Sequence, residues 1–411
     1  MAAAGNPTIL EILGRGAVHP FPARMAPEVA LEALNRSRTP LRVLDPMMGS
    51  GTVLAVARSR GHRAYGYDID PLAVLIASVW TQTVDEEEVR ASAREVATRA
   101  RERLPKLKTG LAYPEGSDEE TRAFIRYWFD DYSRRQLTCL AAAIDRIPTR
   151  SVANVLWCSF SRLIIAKQAG ASRAMDLPHS RPHLAFSRAP RKPLTYFLSS
   201  TESVLSGCPK KGREELGPPA TARLGDARAL DLGDGSMDIV VTSPPYLNAI
   251  DYMRTSKFSL VWMKRTISDL RAIRSSSVGT EAAGDTRGIV EIFERIARSR
   301  SNYRRLPERQ CNLLIRYLHD LDRSLSETAR VLRRGGRAIY VVGDCTVRGT
   351  YIRNSGLLAT IACSHNLRLH SRTSRVLPDT RRYLPPPTRS DDRVQMERRM
   401  RREIVLAFKR G

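Results

Sequence analysis

Residues Asp45-Pro46-Met47-Met48-Gly49-Ser50-Gly51-Thr52 constrain the fold of this chain more than any other segment. They stand between a short apolar run (Leu41, Val43, Leu44) that reads as a strand and a helical pattern from Val53 to Ser59. Glycines at a strand-to-helix turn let the backbone approach a ligand, while N–H groups at the helix start face it. A second strand, Arg63 to Tyr67, ends in Asp68-Ile69-Asp70-Pro71, and Leu72 to Trp80 reads as a second helix. Strand, helix, strand and helix in this order make a unit of a doubly wound α/β sheet. The loop lacks the Gly-Lys-Ser/Thr ending of a P-loop and the G-x-G-x-x-G dinucleotide pattern.

From about Val84 the chain changes character. Glu and Arg runs (Asp85 to Arg103), an aromatic group (Phe124, Tyr127, Trp128, Phe129, Tyr132), a helical stretch from Val152 to Lys167 and a basic, Pro-rich segment from Arg173 to Pro193 follow one another. They read as a long, mostly helical insertion carrying an irregular loop. The α/β pattern resumes with strands at Ala222 to Asp226 and Met237 to Thr242. A Ser/Arg-rich second insertion spans Lys264 to Arg309. A helix from Leu313 to Leu332 is expected to end in the cap Arg333-Arg334-Gly335-Gly336 and to feed a strand from Arg337 to Val342. Closing strands are expected at Leu367 to Leu377 and Glu403 to Phe408. The expected organisation is 1–83 and 221–411 as two parts of one α/β domain, 84–220 as its insertion and 264–309 as a second insertion.

Composition matters because 67 Lys and Arg against 43 Asp and Glu leave a formal charge of +24. Such a charge attracts polyanions, nucleic acid first and a membrane surface second, unless it is spread over solvated helix faces. A 42% hydrophobic share is enough for a sizeable core and excludes wholesale disorder. The six cysteines contain no C-x-x-C pair, so neither a zinc ribbon nor a disulfide framework is signalled, and no His/Cys/Asp group has metal-ligand spacing. His179 and His183 sit in a Pro-bearing loop, where solvated or phosphate-facing roles are expected. No basic-then-apolar leader and no apolar run of membrane-spanning length occurs, so a soluble, cytoplasmic protein without membrane partner is expected. Oligomeric state is not legible.

Asp68 ends the second strand, where a carboxylate accepts hydrogen bonds from ribose hydroxyls in nucleoside-binding α/β folds. Asp70 also reads as a helix N-cap. Asp226 ends the third strand and suits either an adenine amino group or a plain turn. Together with Asp45, three acidic strand ends around one glycine loop describe a nucleoside pocket.

Asp45-Pro-Met-Met-Gly-Ser-Gly-Thr, Asp68 and Thr242-Ser243-Pro244-Pro245-Tyr246 together resemble the amino-methylating DNA methyltransferases. Those enzymes use S-adenosylmethionine to methylate cytosine N4 or adenine N6. The resemblance covers both α/β blocks but not the insertions. It implies a Rossmann-like methyltransferase fold and S-adenosylmethionine as cofactor, held by Asp45, Pro46, Gly49, Ser50, Gly51, Thr52, Asp68 and Asp226. His19-Pro20-Phe21-Pro22-Ala23-Arg24-Met25 resembles the family's segment beside the methionine end, which makes His19 and Arg24 cofactor-side candidates; a Pro-rich entry loop before a helix at Pro27 to Asn35 is the alternative. Double-stranded DNA is the implied partner, with a cognate restriction endonuclease system beside it.

An exocyclic amine is a poor nucleophile because its lone pair is delocalised into the ring. Catalysis needs acceptors that hold its hydrogens and turn the nitrogen toward the methyl donor. By the resemblance, Ser243 Oγ and the Pro244 carbonyl hold the amine, Tyr246 stacks on a flipped base, and Pro244 with Pro245 stiffens the loop. The alternative is a rigid loop whose Tyr246 packs as a core aromatic. Leu247 to Tyr252 would line the base pocket, although Asp251 and Tyr252 also suit a helix cap. Serine at the first motif position leans toward cytosine N4 over adenine N6, where Asp or Asn is usual. Cytosine C5 chemistry needs a cysteine nucleophile, and Cys208-Pro209 has the reverse of the usual order. The insertion 84–220 is the main candidate for target reading, with Arg181, Arg188, Arg191 and Lys192 able to touch phosphates. Two further readings stand beside this one: an RNA amine methyltransferase and a non-catalytic nucleic-acid-binding protein.

Overall fold

The structure, a computed structural model, describes residues 7–21, 25–35, 37, 39–178, 182–210, 217–247, 253–278, 306–347, 350–377 and 402–411. Its strands are β1 (Arg42–Asp45), β2 (Arg63–Asp68), β3 (Thr221–Leu224), β4 (Met237–Thr242), β5 (Leu332–Val342), β6 (Cys345–Val347), β7 (Thr350–Ile352), β8 (Leu367–Val376) and β9 (Arg402–Arg410). Helices α1 (Ile9–Leu13), α2 (Pro27–Leu34), α3 (Thr52–Ser59), α4 (Pro71–Thr81), α5 (Glu86–Arg103), α6 (Glu119–Trp128), α7 (Asp131–Ile144), α8 (Arg150–Ile164), α9 (Pro193–Leu205), α10 (Met253–Leu260) and α11 (Ile267–Ser276) precede two more, Glu308–Val331 and Asn354–Ser364. The chain divides into two compact units, one of residues 1–40, 48–225 and 251–274, the other of 41–47, 226–250 and 275–411. Both are α/β with parallel strands joined through helices, which is the Rossmann-like class expected.

In the first unit β2 and β3 pair in parallel, from Tyr65 opposite Thr221 to Asp68 opposite Leu224. Gly66 lies in β2 because a Cβ there would stand 2.5 Å from Met48 Sδ, so only glycine lets the loop residue lie on the strand. The connection between the two strands is the helical insertion, in which α5, α7, α8 and α9 pack on one another. Local chemistry accounts for α5. Asp85 caps it by accepting from the N–H groups of Glu87 and Glu88, three glutamates fill the first turn, and Arg101 and Arg103 lie in the last. Its buried face, Val89, Ala93, Val96, Ala97 and Ala100, recurs at helical spacing. Of the aromatic group noted in the sequence, buried Phe129 and half-buried Phe124 and Trp128 surround Phe258, and Phe129 meets Trp262 edge-on at 5.2 Å. Tyr127 and Tyr132 stay exposed. The irregular stretch after Arg173 is anchored by that residue, whose carbonyl accepts from Ala185 and Phe186 N–H and whose guanidinium donates to the Phe186 and Tyr127 carbonyls.

In the second unit β1, β4 and β5 are parallel, and β9 and β8 continue the sheet antiparallel. Buried runs such as Val43-Leu44 and Ile239-Val240-Val241 have the unbroken apolar character of strands covered on both faces. Helix Glu308–Val331 packs on β5 and on helix Asn354–Ser364. The hairpin β6–β7 and helix Asn354–Ser364 have no counterpart in the sequence reading. The expected glycine cap is corrected here. Helix Glu308–Val331 passes at Leu332 into extended backbone and β5 starts at once. Gly335, at φ +71°, and Gly336 sit in a bulge between the pairs Met237–Leu332 and Ile239–Arg337. A Cβ on Gly336 would stand 2.8 Å from the Arg333 carbonyl oxygen, which is why glycine occupies the bulge. Asp238 holds the neighbourhood by bonding Arg42 and Arg333.

Candidate active-site residues

The first unit carries the second half of the glycine loop. Gly51, at φ +84°, is the N-cap of α3, and a Cβ on it would stand 2.8 Å from Ala77 Cβ, so the turn needs glycine twice over. Met48 N–H donates to the Tyr67 carbonyl (3.0 Å) and ties the loop to β2. Thr52 is the first, buried residue of α3, and Ser50 Oγ is buried without a hydrogen-bond partner among the described residues. Such an atom in a glycine loop suits a polar ligand group.

Asp68 ends β2. Its Oδ2 accepts from Gly49 N–H (2.9 Å) and its Oδ1 from Asp70 N–H (2.9 Å). Burial, followed by the charge of Asp70, pushes its pKa up to about 7, against the opposing pull of these N–H donors. Asp70 takes the N-cap role left open by the sequence, accepting from Leu72 N–H (2.8 Å), and its Oδ2 accepts from Ser256 Oγ. His19 is buried, with Nε2 3.0 Å from Ser161 Oγ, which lies 2.8 Å from Ser259 Oγ. These two serines on α8 and α10 escaped sequence reasoning, since single serines in apolar helices carry no signal. Arg24, His179, Arg181 and Asn248 to Tyr252 lie outside the described residues. Arg188, Arg191 and Lys192 are exposed.

The second unit carries the start of the glycine loop and the proline loop. Asp45 Oδ1 accepts from Thr242 Oγ1 (2.7 Å) and from Met47 N–H (3.2 Å), with Asp45, Pro46 and Thr242 all buried. One carboxylate oxygen thereby holds the end of β1, the turn after it and the end of β4. Thr242 stands directly before Ser243, so its place in the motif was the signal for this role. Ser243 Oγ donates toward the Val341 carbonyl (3.2 Å) and the Tyr246 hydroxyl (3.4 Å), and Tyr246 donates to Glu403 Oε1 (3.0 Å). Pro244 is buried and Tyr246 half-buried. Glu403 was missed because a lone acid opening a basic strand gives no sign of burial.

Asp226 is engaged differently from Asp68. Arg228 grips its carboxylate through Nε (3.0 Å) and Nη2 (2.7 Å), and also bonds Asp320 and the Ser276 carbonyl. Burial raises its pKa, but the hydrogen bonds and charge of Arg228 outweigh that and leave it below the ordinary aspartate value. Cys208 is buried, and burial pushes its thiol up to about 12, which denies it the thiolate form at neutral pH. No cluster of three or more His, Cys, Asp or Glu able to hold a metal occurs among the described residues. No helix among them is long and apolar enough to cross a membrane.

No family model matches the chain. It is 23% identical over 398 residues to the type II methyltransferase M.MvaI of Kocuria varians, an alignment covering 88% of this chain and 84% of that protein. Among solved structures, a SAM-dependent methyltransferase of Methanosarcina mazei aligns over 94% of this chain and 99% of its own at 9% identity and a TM-score of 0.34. A putative DNA modification methylase of Thermus thermophilus, complexed with S-adenosyl-L-methionine, aligns over 46% of this chain and 54% of its own at 18% identity and a TM-score of 0.22.

Proposed function

We propose that the protein is an S-adenosylmethionine-dependent DNA methyltransferase that methylates the exocyclic N4 of cytosine within a specific sequence. The observation that carries this reading is the Ser243-Pro244-Pro245-Tyr246 loop leaving buried β4, with the one hydrogen of Ser243 Oγ within reach of two acceptors, the Val341 carbonyl and the Tyr246 hydroxyl, and its lone pairs left to accept. The type II methyltransferase of Kocuria varians, aligned over most of both chains, is in keeping with it. So is the +24 charge, which suits a polyanionic substrate.

The residues of the glycine loop fit the cofactor. Ser50 Oγ offers a buried polar group, and Asp68, once ionised, accepts from ribose hydroxyls. Gly49 and Gly51 keep the backbone close, and Asp45, Pro46 and Thr52 shape the loop around them. His19 lies on the methionine side in this assignment, and Asp226 meets the adenine amine while still bound to Arg228. The cofactor, when bound, supplies an electrophilic methyl group. Ser243 Oγ and the Pro244 carbonyl accept the amine hydrogens and orient its nitrogen, and the Tyr246 ring stacks on the flipped base. Residues 84–220 are assigned to target reading, with 264–309 second, and a cognate restriction endonuclease is the partner system of this reading.

The test is modification-aware sequencing of DNA and RNA from a methylation-free host expressing the protein. N4-methylcytosine at one recurring sequence is expected. N6-methyladenine would move the target base, methylated RNA with unmethylated DNA would overturn the DNA reading, and the absence of any mark would leave a nucleic-acid-binding protein.

A further inference from the structure

The proline loop is joined to a carboxylate that no part of the motif contains. Glu403 is the second residue of β9, with its side chain buried, opposite Arg375 of β8, whose Nε stands 3.7 Å from Glu403 Oε2. The other oxygen, Oε1, receives the Tyr246 hydroxyl at 3.0 Å, and the phenol oxygen in turn lies 3.4 Å from Ser243 Oγ. An ionised carboxylate can only accept hydrogen bonds, whereas a serine or tyrosine hydroxyl donates one and accepts others. With Tyr246 donating to Glu403 Oε1, the phenol oxygen is left to accept from Ser243 Oγ.

We propose, building on the amine-methylating reading above, that Glu403 is a positioning residue that keeps Ser243 an acceptor. Without it, the Tyr246 hydroxyl loses this acceptor and can turn its hydrogen onto Ser243 Oγ, occupying a lone pair that the substrate amine needs. With Glu403 taking that hydrogen, the phenol oxygen faces Ser243 only as an acceptor. The Val341 carbonyl, 3.2 Å from Ser243 Oγ, is likewise acceptor-only. The single serine hydrogen then points into the protein, and its lone pairs face outward. Nothing in this role calls for the Tyr246 hydroxyl itself, only for the control of its hydrogen.

This logic gives a rescue experiment with the full-length protein. In Glu403→Gln the amide can donate to the phenol oxygen and release the Tyr246 hydrogen toward Ser243, so kcat for DNA methylation falls about tenfold or more. KM for DNA and S-adenosylmethionine affinity by calorimetry stay close to native, while loss of the charge facing Arg375 lowers the unfolding midpoint. Tyr246→Phe, which keeps the ring and removes the competing donor, sets the reference rate against which the double variant is read. The double variant Glu403→Gln/Tyr246→Phe recovers to the Tyr246→Phe rate. A native kcat in Glu403→Gln, or a double variant as slow as Glu403→Gln, overturns the proposal while leaving the methyltransferase reading intact. A native protein that methylates no nucleic acid overturns both.

Discussion

The glycine loop of the first unit and the proline loop of the second are built on different principles. Around Asp68 the groups that act are backbone N–H donors, a helix start and a half-buried carboxyl poised at about 7. Around Ser243 they are side-chain hydroxyls, with the buried Glu403 accepting from Tyr246. The first arrangement is suited to holding a ligand, because fixed dipoles and a carboxylate act on a bound molecule throughout its stay. In the proposed reading the second is suited to chemistry, because one acceptor must be presented at the moment an amine reacts. Substitutions in the two regions should therefore separate affinity from rate.

The largest effect is expected for Ser243→Ala, where kcat for methyl transfer falls about 1000-fold, and for Tyr246→Ala, which loses the stacking ring, at about 100-fold. S-adenosylmethionine affinity, followed by calorimetry, stays near native in both, and a large loss of affinity would erase the distinction between the regions. Next is Arg228→Ala. It strands Asp320, buried beside it, together with Asp226, and should cost about 3 kcal/mol of stability in denaturant unfolding. Asp68→Ala should weaken S-adenosylmethionine binding about 100-fold while kcat at saturating cofactor changes far less. Asp226 lies beyond the end of β3 at Leu224 and not on the strand as expected, and an equal loss of affinity in Asp226→Ala would show that the two aspartates act alike despite their different partners.

The smallest effect is pH dependence. In the proposed reading ribose hydroxyls bind the ionised carboxylate, so affinity for S-adenosylmethionine should rise through about pH 7 and level off above it, and Asp68→Asn should remove that rise. The stability of the ligand-free protein runs the other way. A carboxyl whose folded pKa is raised favours unfolding as soon as the unfolded chain ionises, so stability falls from about pH 4 to about pH 7 and is flat beyond. Denaturant melts across that range, compared with Asp68→Asn, check the sign.

Much of the fold was legible because periodicity and punctuation acted locally. β4 coincides with the strand read at Met237 to Thr242, and α3 and α4 lie within a residue of the helices read at Val53 to Ser59 and Leu72 to Trp80. The failure at Gly335-Gly336 has a definite cause. Two glycines after a helix serve equally as a cap or as a bulge, and pairing of β5 with β4 chose the bulge. Asp68 and Asp226 look the same as acidic strand ends. What parts them is Arg228, which folds back onto Asp226 with Asp320 as its other partner.

By itself the sequence determined the α/β class, the glycine turn and the Ser-Pro-Pro-Tyr loop, since each depends on the backbone preferences of neighbouring residues. Only tertiary structure decided that Thr242 braces Asp45 across 197 positions and that Glu403 stands behind Tyr246 across 157. Those pairings arise from strand order and register. Burial, which turns an ordinary glutamate into an acceptor held in place, is a property of the assembled sheet and not of any segment.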